Sequence, residues 1–202
     1  FPSEYFHIGA DEVEKDNWEQ CEVCQQLMQQ EGYQKVDELQ NRFVKIMTNY
    51  VKGKGKKVMG WDDAFLEKDP QDLIYTYWRD WLPDQPGKIT QKGYPIVFME
   101  WSRFYLSATP SDEGLSSLYN FEFEPQFPSI VKQNVLGFQA CVWTEMIPNE
   151  RKFGQHVFPS LQAFSELAWG SDRNWIDFTN RLKWHIKLLN ENGFYFTKPG
   201  FI

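Results

Sequence analysis

Five short apolar runs, rich in β-branched and aromatic residues, recur along the chain and alternate with segments of helical periodicity. Most of the runs end in a tryptophan, an acidic residue or both. They are YFHIGADE (5–12), KKVMGWDD (56–63), LIYTYWRD (73–80), YPIVFMEWSRFYL (94–106) and VLGFQACVWTE (135–145). Strand-like runs that alternate with helices predict βα units arranged around a parallel sheet.

Apolar residues at helical spacing, with glycine or proline at the segment ends, predict the helices between and after these runs. The predicted helices cover residues 21–31, 35–52, 87–93, 158–169 and 175–193. Residues 110–130 contain three prolines and little periodicity. They are predicted to form a long ordered loop, which is more often functional than idle.

The carboxyl ends of parallel strands share one face, and in a (β/α)8 barrel that face carries the active site. A complete barrel needs eight strands and about 250 residues. Five runs in 202 residues therefore predict an α/β fold in which residues 1–202 are a single piece, the carboxyl-terminal part of a barrel. The residues predicted to meet at its mouth are Asp11, Glu12, Trp61, Trp78, Trp143 and Glu145.

Composition excludes some classes of partner. The net charge is −7 and no basic stripe is present, which argues against nucleic acid. No run approaches the roughly 20 apolar residues of a membrane span. The sequence begins at Phe1 rather than Met, so we expect the true amino terminus to be missing. Aromatic residues make up 17% of the chain, which suits a sugar-binding cleft, although composition alone favours ordinary aromatic cores.

The three cysteines give no complete metal or redox motif. Cys21 and Cys24 form an isolated C-x-x-C, and Cys141 is distant in the sequence. A zinc ribbon needs a second pair of ligands, and a thioredoxin-like motif needs a βαβ context. A local disulfide and two free thiols are the alternatives that remain.

Asp11 and Glu12 are adjacent acids at the end of a predicted strand. Neighbouring side chains leave a strand toward different sides, so these two cannot easily attack opposite faces of one sugar ring. They can serve two neighbouring groups of one substrate. One acid would protonate a leaving oxygen, and the other would hold a substrate group that is itself the nucleophile.

The motif HIGADE resembles the His-x-Gly-Gly-Asp-Glu motif of glycoside hydrolase family 20, the β-N-acetylhexosaminidases. The other motifs of that family follow in the same order and extend the resemblance through essentially the whole chain. They are GWDD (60–63), IYTYW ending at Trp78, YLS (105–107), Phe123-Glu124-Pro125 and WTE (143–145). Any one of these motifs would be weak evidence, whereas the ordered set is strong.

The resemblance implies a retaining exo-enzyme that uses the substrate's own acetamido group, an exception to the usual two-carboxylate scheme. Glu12 would act as general acid and then as base, and Asp11 would bind the acetamido N–H. Tyr105 would donate to the acetamido oxygen, Glu145 would bind sugar hydroxyls, and His7 would be a buried orienting residue. The remaining family positions would form the pocket wall: Trp61, Trp78 and Trp143.

The resemblance also implies N-acetylhexosamine glycans as substrates, no cofactor, no metal, and a secreted or periplasmic location. We further expect association with the missing amino-terminal part of the barrel or with a second copy. Two positions depart from the family pattern. Ala10 replaces a glycine, which would be costly if that position needs a positive φ. Ser107 replaces an aspartate that helps to bind sugar hydroxyls.

We expect the full-length parent to cleave N-acetylglucosaminides and the isolated chain, which lacks strands of the barrel, to be nearly inert. Two alternatives remain beside the hydrolase. One is a catalytically inert carbohydrate-binding partial barrel, because an open half barrel exposes strand edges and lacks part of its pocket. The other is a magnesium or calcium cluster, which the aromatic surroundings disfavour. Its ligands would be Asp11, Glu12, Asp62, Asp63 and Glu145.

Overall fold

The computed structural model describes residues 1–123, 127–170 and 172–202. The chain forms two compact units. The first unit comprises residues 1–98 and 127–136, and the second comprises residues 99–126 and 137–202. The single piece predicted for residues 1–202 stays a prediction.

The strands are parallel where their pairing is resolved, and they follow one another in sequence order. They are β1 (Tyr5–His7), β2 (Lys57–Trp61), β3 (Ile74–Tyr77), β4 (Ile96–Phe98) and β5 (Val135–Phe138). In register, His7 lies opposite Met59, Trp61 opposite Thr76, and Tyr77 opposite Phe98. Consecutive parallel strands with helices between them are the βα units that the sequence predicts.

A short 3-10 helix follows β2 at Asp62–Ala64, and ten α-helices occur in the described residues. They are α1 (Asp16–Gln20), α2 (Glu22–Glu31), α3 (Asp37–Gly53), α4 (Gln85–Gln91), α5 (Trp101–Phe104), α6 (Asp112–Tyr119), α7 (Ser129–Asn134), α8 (Glu150–Val157), α9 (Ser160–Trp169) and α10 (Trp175–Glu191). The predicted helices at 21–31, 35–52, 87–93, 158–169 and 175–193 are confirmed as α2, α3, α4, α9 and α10, with ends shifted by a few residues. None of the helices in these ranges is long and apolar enough to cross a bilayer.

The first unit has its core around β3, in which all four residues are buried. Burial on both faces explains why this strand reads as a continuous apolar run rather than an alternating one. The rings of Tyr77 and Phe98 meet edge to face at 5.2 Å, and Val44 and Val51 of α3 are buried within the same unit.

The second unit has an aromatic core of its own. The buried ring of Phe104 meets the ring of Phe164 at 5.6 Å, and Tyr119 stacks on Phe178 at 4.5 Å. Edge-to-face and offset-stacked pairs stabilise beyond their area of burial, by roughly 0.5–1.5 kcal/mol each. The high aromatic content of the chain therefore serves packing to a large extent.

Some predicted elements are wrong. The segment 110–130 is not one long loop, because it contains α6 and the start of α7. Residues 94–106 divide into β4 and α5, and the last run ends as a strand at Phe138, followed by one isolated bridge between Tyr105 and Cys141. Apolar periodicity alone does not separate a buried strand from a short buried helix.

Candidate active site

The loop that follows β1 has an unusual backbone. Gly9, Ala10 and Glu12 have φ angles of 73°, 78° and 49°, in the left-handed region that non-glycine residues rarely adopt. The condition under which Ala10 carries a cost is therefore met. A loop in this conformation persists only when its surroundings determine it.

Hydrogen bonds from two other elements hold this loop. Trp61 N–H donates to the Gly9 carbonyl at 2.9 Å, and the Gln40 amide of α3 donates to the Ala10 carbonyl at 3.0 Å. Glu12 N–H donates to Asp63 Oδ1 at 3.3 Å. The backbone on which Glu12 is presented is therefore fixed from β2, from α3 and from the turn after β2.

His7 connects three strands through one hydrogen-bond chain. Gly9 N–H donates to His7 Nδ1 at 3.0 Å, and His7 Nε2 lies 3.0 Å from Thr76 Oγ1. The Thr76 hydroxyl donates to the Gly60 carbonyl at 3.1 Å, so Nε2 must carry the proton that joins it to Thr76. This assigns the neutral Nε2–H tautomer.

The environment of His7 favours that neutral form. Desolvation of the ring lowers the pKa of His7, and the nearby Asp11 carboxylate opposes this shift. The prediction that His7 is buried is wrong for the residue as a whole, since all three residues of β1 are exposed, although its ring is partly desolvated where it contacts Trp61 and Thr76. The strand order explains the exposure, because β1 lies at the edge of the sheet.

Asp62 is a fully buried carboxylate in the turn after β2. It accepts hydrogen bonds from Trp78 N–H at 3.1 Å and from Arg79 Nε at 2.9 Å, and Arg79 Nη2 also reaches its backbone carbonyl at 2.9 Å. Burial raises the pKa of Asp62 to about 6, although the Arg79 guanidinium counteracts the rise. The group therefore anchors the start of the loop after β3.

Asp63 links two of the predicted site residues. Its Oδ2 accepts the indole N–H of Trp78 at 2.6 Å, and its Oδ1 accepts Glu12 N–H at 3.3 Å. Arg79 Nε lies 3.6 Å from the same carboxylate. Sequence reasoning assigned Asp63 only to a metal cluster and did not single out Arg79. The sequence signal that could have pointed to Asp63 and Arg79 is the pair of motifs WDD (61–63) and WRD (78–80), which end successive strand-like runs.

Three indole rings of the first unit and the imidazole of His7 form a connected row. His7 meets Trp61 at 5.1 Å, Trp61 meets Trp78 at 6.4 Å, and Trp78 meets Trp81 at 4.8 Å, all edge to face. Trp61 and Trp78 are buried, whereas Trp81 is 54% exposed. Trp81 was not predicted as a site residue, although it follows the third run within three residues of Trp78.

A polar cleft of about 320 Å³ opens at the Asp63 side chain. It is lined by Glu12, Asp63, Arg79, Gln40 and Asp37 among others. The residues of this unit thus bring an exposed acid, a second carboxylate and a guanidinium to one place. That the Glu12 carboxylate also faces the Trp61 and Trp78 rings stays a prediction.

The second unit holds the other predicted residues. Tyr105 forms a parallel bridge with Cys141, and its ring lies 6.1 Å from that of Trp143. Ser107 Oγ accepts the backbone N–H of Trp143 at 2.9 Å. Ser107, which stands where the resemblance implies an aspartate, therefore holds the backbone of Trp143. Glu145 is exposed in the turn that follows.

The predicted site residues are divided between the units. Asp11, Glu12 and their neighbours lie in the first unit, whereas Tyr105, Trp143 and Glu145 lie in the second. Their shared mouth stays a prediction, and Glu124 and Pro125 of the Phe-Glu-Pro motif lie outside the described residues. Within the described ranges, no group of three or more His, Cys, Asp or Glu side chains could hold a metal ion.

Comparison with known proteins gives one consistent result. The family model described as glycosyl hydrolase family 20, catalytic domain, matches residues 1–172. The chain is 28% identical to a beta-hexosaminidase of Porphyromonas gingivalis, over 90% of this chain and 25% of that protein. It is 29% identical to a beta-hexosaminidase of Vibrio furnissii, over 82% of this chain and 29% of that protein.

Solved structures agree with these relatives. The GH20 exo beta-N-acetylglucosaminidase of Vibrio harveyi, crystallised with N-acetylglucosamine, matches with a TM-score of 0.84 and 29% identity, over 98% of this chain and 33% of that chain. The match confirms the predicted fold class, a partial (β/α)8 barrel. The chain spans about a quarter to a third of the length of the relatives named here.

Proposed function

The chain belongs to glycosyl hydrolase family 20, and from that premise we propose that it carries the catalytic carboxylates of a retaining exo-β-N-acetylhexosaminidase. The substrate would be a glycan that ends in N-acetylglucosamine or N-acetylgalactosamine. The nucleophile would be the substrate's acetamido oxygen, with no covalent sugar–enzyme intermediate. This family is an exception to the two-carboxylate scheme of most glycosidases.

Glu12 is the proposed general acid and base. Its side chain is exposed to a polar cleft, and its backbone is held in the left-handed region by Asp63. A carboxylic acid in this position can protonate the glycosidic oxygen as the bond to the anomeric carbon breaks. In the second half of the reaction, the resulting carboxylate takes a proton from the attacking water.

Asp11 is the proposed partner of the acetamido group. Because it precedes Glu12 directly, its carboxylate serves a neighbouring part of the same sugar rather than the opposite face of the ring. It would accept the acetamido N–H and stabilise the positive charge that develops when the acetamido oxygen attacks the anomeric carbon. Ring closure gives an oxazolinium ion, and water then opens it with net retention.

Trp61 and Trp78 are the proposed walls of the sugar pocket. The Asp63 carboxylate accepts both the indole N–H of Trp78 and the backbone N–H of Glu12. The proposed general acid and one proposed pocket wall are therefore positioned by the same side chain. For Tyr105, Trp143 and Glu145, the roles implied by the family resemblance remain proposals. The observation that carries the function is the adjacent Asp11–Glu12 pair on a strained loop fixed by β2 and α3.

The test is hydrolysis of chromogenic 4-nitrophenyl glycosides by the complete enzyme that contains this chain and by its variants, whereas the isolated chain is expected to be nearly inert. We expect cleavage of the N-acetyl-β-glucosaminide and none of the β-glucoside, which lacks the acetamido nucleophile. Glu12→Gln and Asp11→Asn should each lower kcat by about 10²–10⁴-fold. Glu14→Gln is the matched control, because Glu14 is an exposed acid two residues further on, and it should leave kcat unchanged.

Three results would contradict the proposal. Equal cleavage of both glycosides would exclude participation of the acetamido group. Full activity of Glu12→Gln would exclude Glu12 as the acid. Binding of N-acetylglucosamine by calorimetry, without turnover of any N-acetylhexosaminide, would favour the inert carbohydrate-binding alternative.

A further inference from the structure

The C-x-x-C pair lies at the start of a well-formed helix. Cys21 is the N-cap residue of α2, a helix of ten residues, and its extended backbone lets its sulfur accept Cys24 N–H at 3.4 Å. Cys24 is therefore the third residue of the first turn. The Cys21 sulfur therefore lies over this turn, in side-chain contact with Cys24.

The helix terminus gives the two thiols different chemical character. Unpaired N–H groups and the helix dipole stabilise negative charge at an N-cap position. Contact with the Cys24 thiol lowers the pKa of Cys21, while the same contact raises the pKa of Cys24. Glu22 opposes the shift at Cys21 only as the smallest contribution. The contact thus makes Cys21 the more acidic of the two thiols.

The pair is also accessible and has room to rearrange. Both cysteines are free thiols and are partly exposed, in contrast to Cys141, which is buried. An apolar cavity of about 550 Å³ lies beside Cys24 and is lined by Trp18 and Leu27 as well. The cavity leaves open space beside the Cys24 side chain.

We propose that Cys21 and Cys24 form a reversible dithiol–disulfide site, with Cys21 as the attacking thiol and Cys24 as the resolving thiol. The Cys21 thiolate attacks one sulfur of a small disulfide such as glutathione disulfide and releases one glutathione thiolate. The Cys24 thiol then loses its proton and attacks the Cys21 sulfur of the mixed disulfide, which releases the second glutathione. One disulfide is consumed, two thiols are released, and the protein loses two hydrogen atoms.

The third cysteine provides an internal control for this chemistry. Burial raises the pKa of Cys141 to about 11, so it is a poor nucleophile near neutral pH. Trypsin releases Cys21 and Cys24 together in one peptide, residues 16–35, whereas Cys141 falls in the separate peptide 133–151. Oxidation of the pair and of Cys141 can therefore be read independently in one digest.

The test is equilibration of the folded protein in glutathione redox buffers at neutral pH, followed by acid quench, alkylation, digestion and mass spectrometry. We expect peptide 16–35 to change from two alkylated thiols to one internal disulfide as the buffer becomes more oxidising, with Cys141 unchanged. Cys24→Ser should accumulate glutathione on Cys21, because the resolving thiol is gone. In Cys21→Ser, Cys24 should react with glutathione disulfide at least about tenfold more slowly than Cys21 reacts in Cys24→Ser.

Two results would overturn the proposal. The first is a wild-type peptide that stays reduced, or ends with bound glutathione and no internal disulfide, in the most oxidising buffer. The second is equal reactivity of Cys21 and Cys24 in the single variants. The same measurement in denaturant should abolish the difference between the two thiols, because the difference depends on the folded contact of Cys21 with the first turn of α2 and with Cys24. None of these readouts depends on hydrolase activity.

Discussion

Ala10 shows at the scale of one residue how the loop after β1 departs from local preference. Its φ of 78° lies in the left-handed region, which glycine adopts freely. For a residue with a Cβ atom this conformation costs roughly 1–2 kcal/mol. Ala10→Gly removes that strain but adds flexibility to the unfolded chain, worth about 0.5–1 kcal/mol in the opposite direction. We expect a net gain of about 0.5–1 kcal/mol in the free energy of unfolding in urea.

The matched control for this substitution is Ala108→Gly. Ala108 is exposed, lies outside any helix or strand, and is not among the described non-glycine residues with a positive φ. The same change there relieves no strain and should leave stability unchanged or lower it slightly. A loss of stability in Ala10→Gly equal to that of the control would show that the left-handed loop carries no strain at this residue.

Asp62 should make stability depend on pH in the acidic range. Burial raises its pKa to about 6, so the folded protein keeps a proton that the unfolded chain releases above pH ~4. The contribution of this group is therefore complete below about pH 4 and is lost as the pH rises through about 6. Relative to Asp62→Asn, the wild type should gain up to about 3 kcal/mol as the pH falls from about 7 to about 4.

Urea unfolding at intervals across this pH range measures that difference directly. The Asp62→Asn variant lacks the titrating group but keeps a side chain of the same size, so the comparison concerns the slope with pH rather than the absolute stability. A constant difference between the two proteins across the whole range would mean that the Arg79 guanidinium fully offsets the burial of Asp62.

Asp63 can hold both Trp78 and Glu12 because its carboxylate has two acceptor oxygens. One oxygen accepts the indole N–H of Trp78 and the other accepts Glu12 N–H. Asparagine has a single acceptor oxygen, so Asp63→Asn must leave one donor unpaired, at roughly 1.5–3 kcal/mol for a bond to a charged group. We expect the Trp78 indole N–H resonance to shift and kcat on an N-acetylhexosaminide to fall by about tenfold or more.

Asp72→Asn is the control for that experiment, since Asp72 is an exposed carboxylate that pairs only with Lys52 among its described contacts. Exposed pairs of this kind contribute at most about 1 kcal/mol, and neither readout should change. An unshifted indole resonance in Asp63→Asn would show that Asp63 does not hold Trp78 in solution, whatever the outcome for kcat.

At the scale of elements, α6 is a helix that apolar periodicity alone did not reveal. Its N-cap residue is Ser111, whose hydroxyl accepts Gly114 N–H at 3.0 Å. Ser111→Ala removes this N-cap and should lower the free energy of unfolding by about 1 kcal/mol. Ser117→Ala makes the same change in the exposed interior of the helix, where alanine is preferred, and should raise it by a few tenths of a kcal/mol.

Thermal and urea unfolding of these two variants decide the point. Equal effects with the same sign would indicate that the substitutions act through lost side-chain contacts rather than through the helix terminus. Opposite signs would assign the difference to capping, because the chemical change is identical in both variants.

The same helix shows why some elements could be predicted from sequence and others could not. The long helices α3 and α10 span several turns, so their apolar faces repeat often enough to be read. α6 has only eight residues in a proline-rich context, and its buried side chains, Leu115, Leu118 and Tyr119, cover little more than one turn. A capping serine was its best local indication.

The candidate site likewise contains residues that the sequence pattern predicts and residues whose roles depend on tertiary contacts. Asp11, Glu12, Trp61 and Trp78 could be singled out because each ends a strand-like run or belongs to an ordered motif. The role of Asp63 could not, because it rests on contacts with residues 15 and 51 positions away. The exposure of His7 also depends on the place of β1 in the sheet rather than on its own sequence.

At the scale of the whole molecule, an acidic chain with several carboxylates near one loop raises the question of a bound cation. The net charge is −7, yet two of the acids near this loop already have partners. Asp62 and Asp63 accept hydrogen bonds from Arg79, Trp78 and Glu12 N–H. Calcium needs six to eight oxygen ligands, and no cluster of three metal-ligating side chains occurs in the described ranges.

We therefore expect that removal of divalent cations changes neither stability nor the proposed hydrolysis. A cation present at about a hundred times its Kd would stabilise the folded state by about 2.7 kcal/mol, which would raise the Tm by several degrees in a chain of this size. Thermal unfolding in excess chelator and in millimolar Ca²⁺ or Mg²⁺ should give the same Tm, because Asp62 and Asp63 are already bonded to Arg79 and to N–H donors of the chain. A higher Tm with the cation, lost in Asp63→Asn but kept in Asp72→Asn, would instead place a metal at the carboxylates beside Glu12.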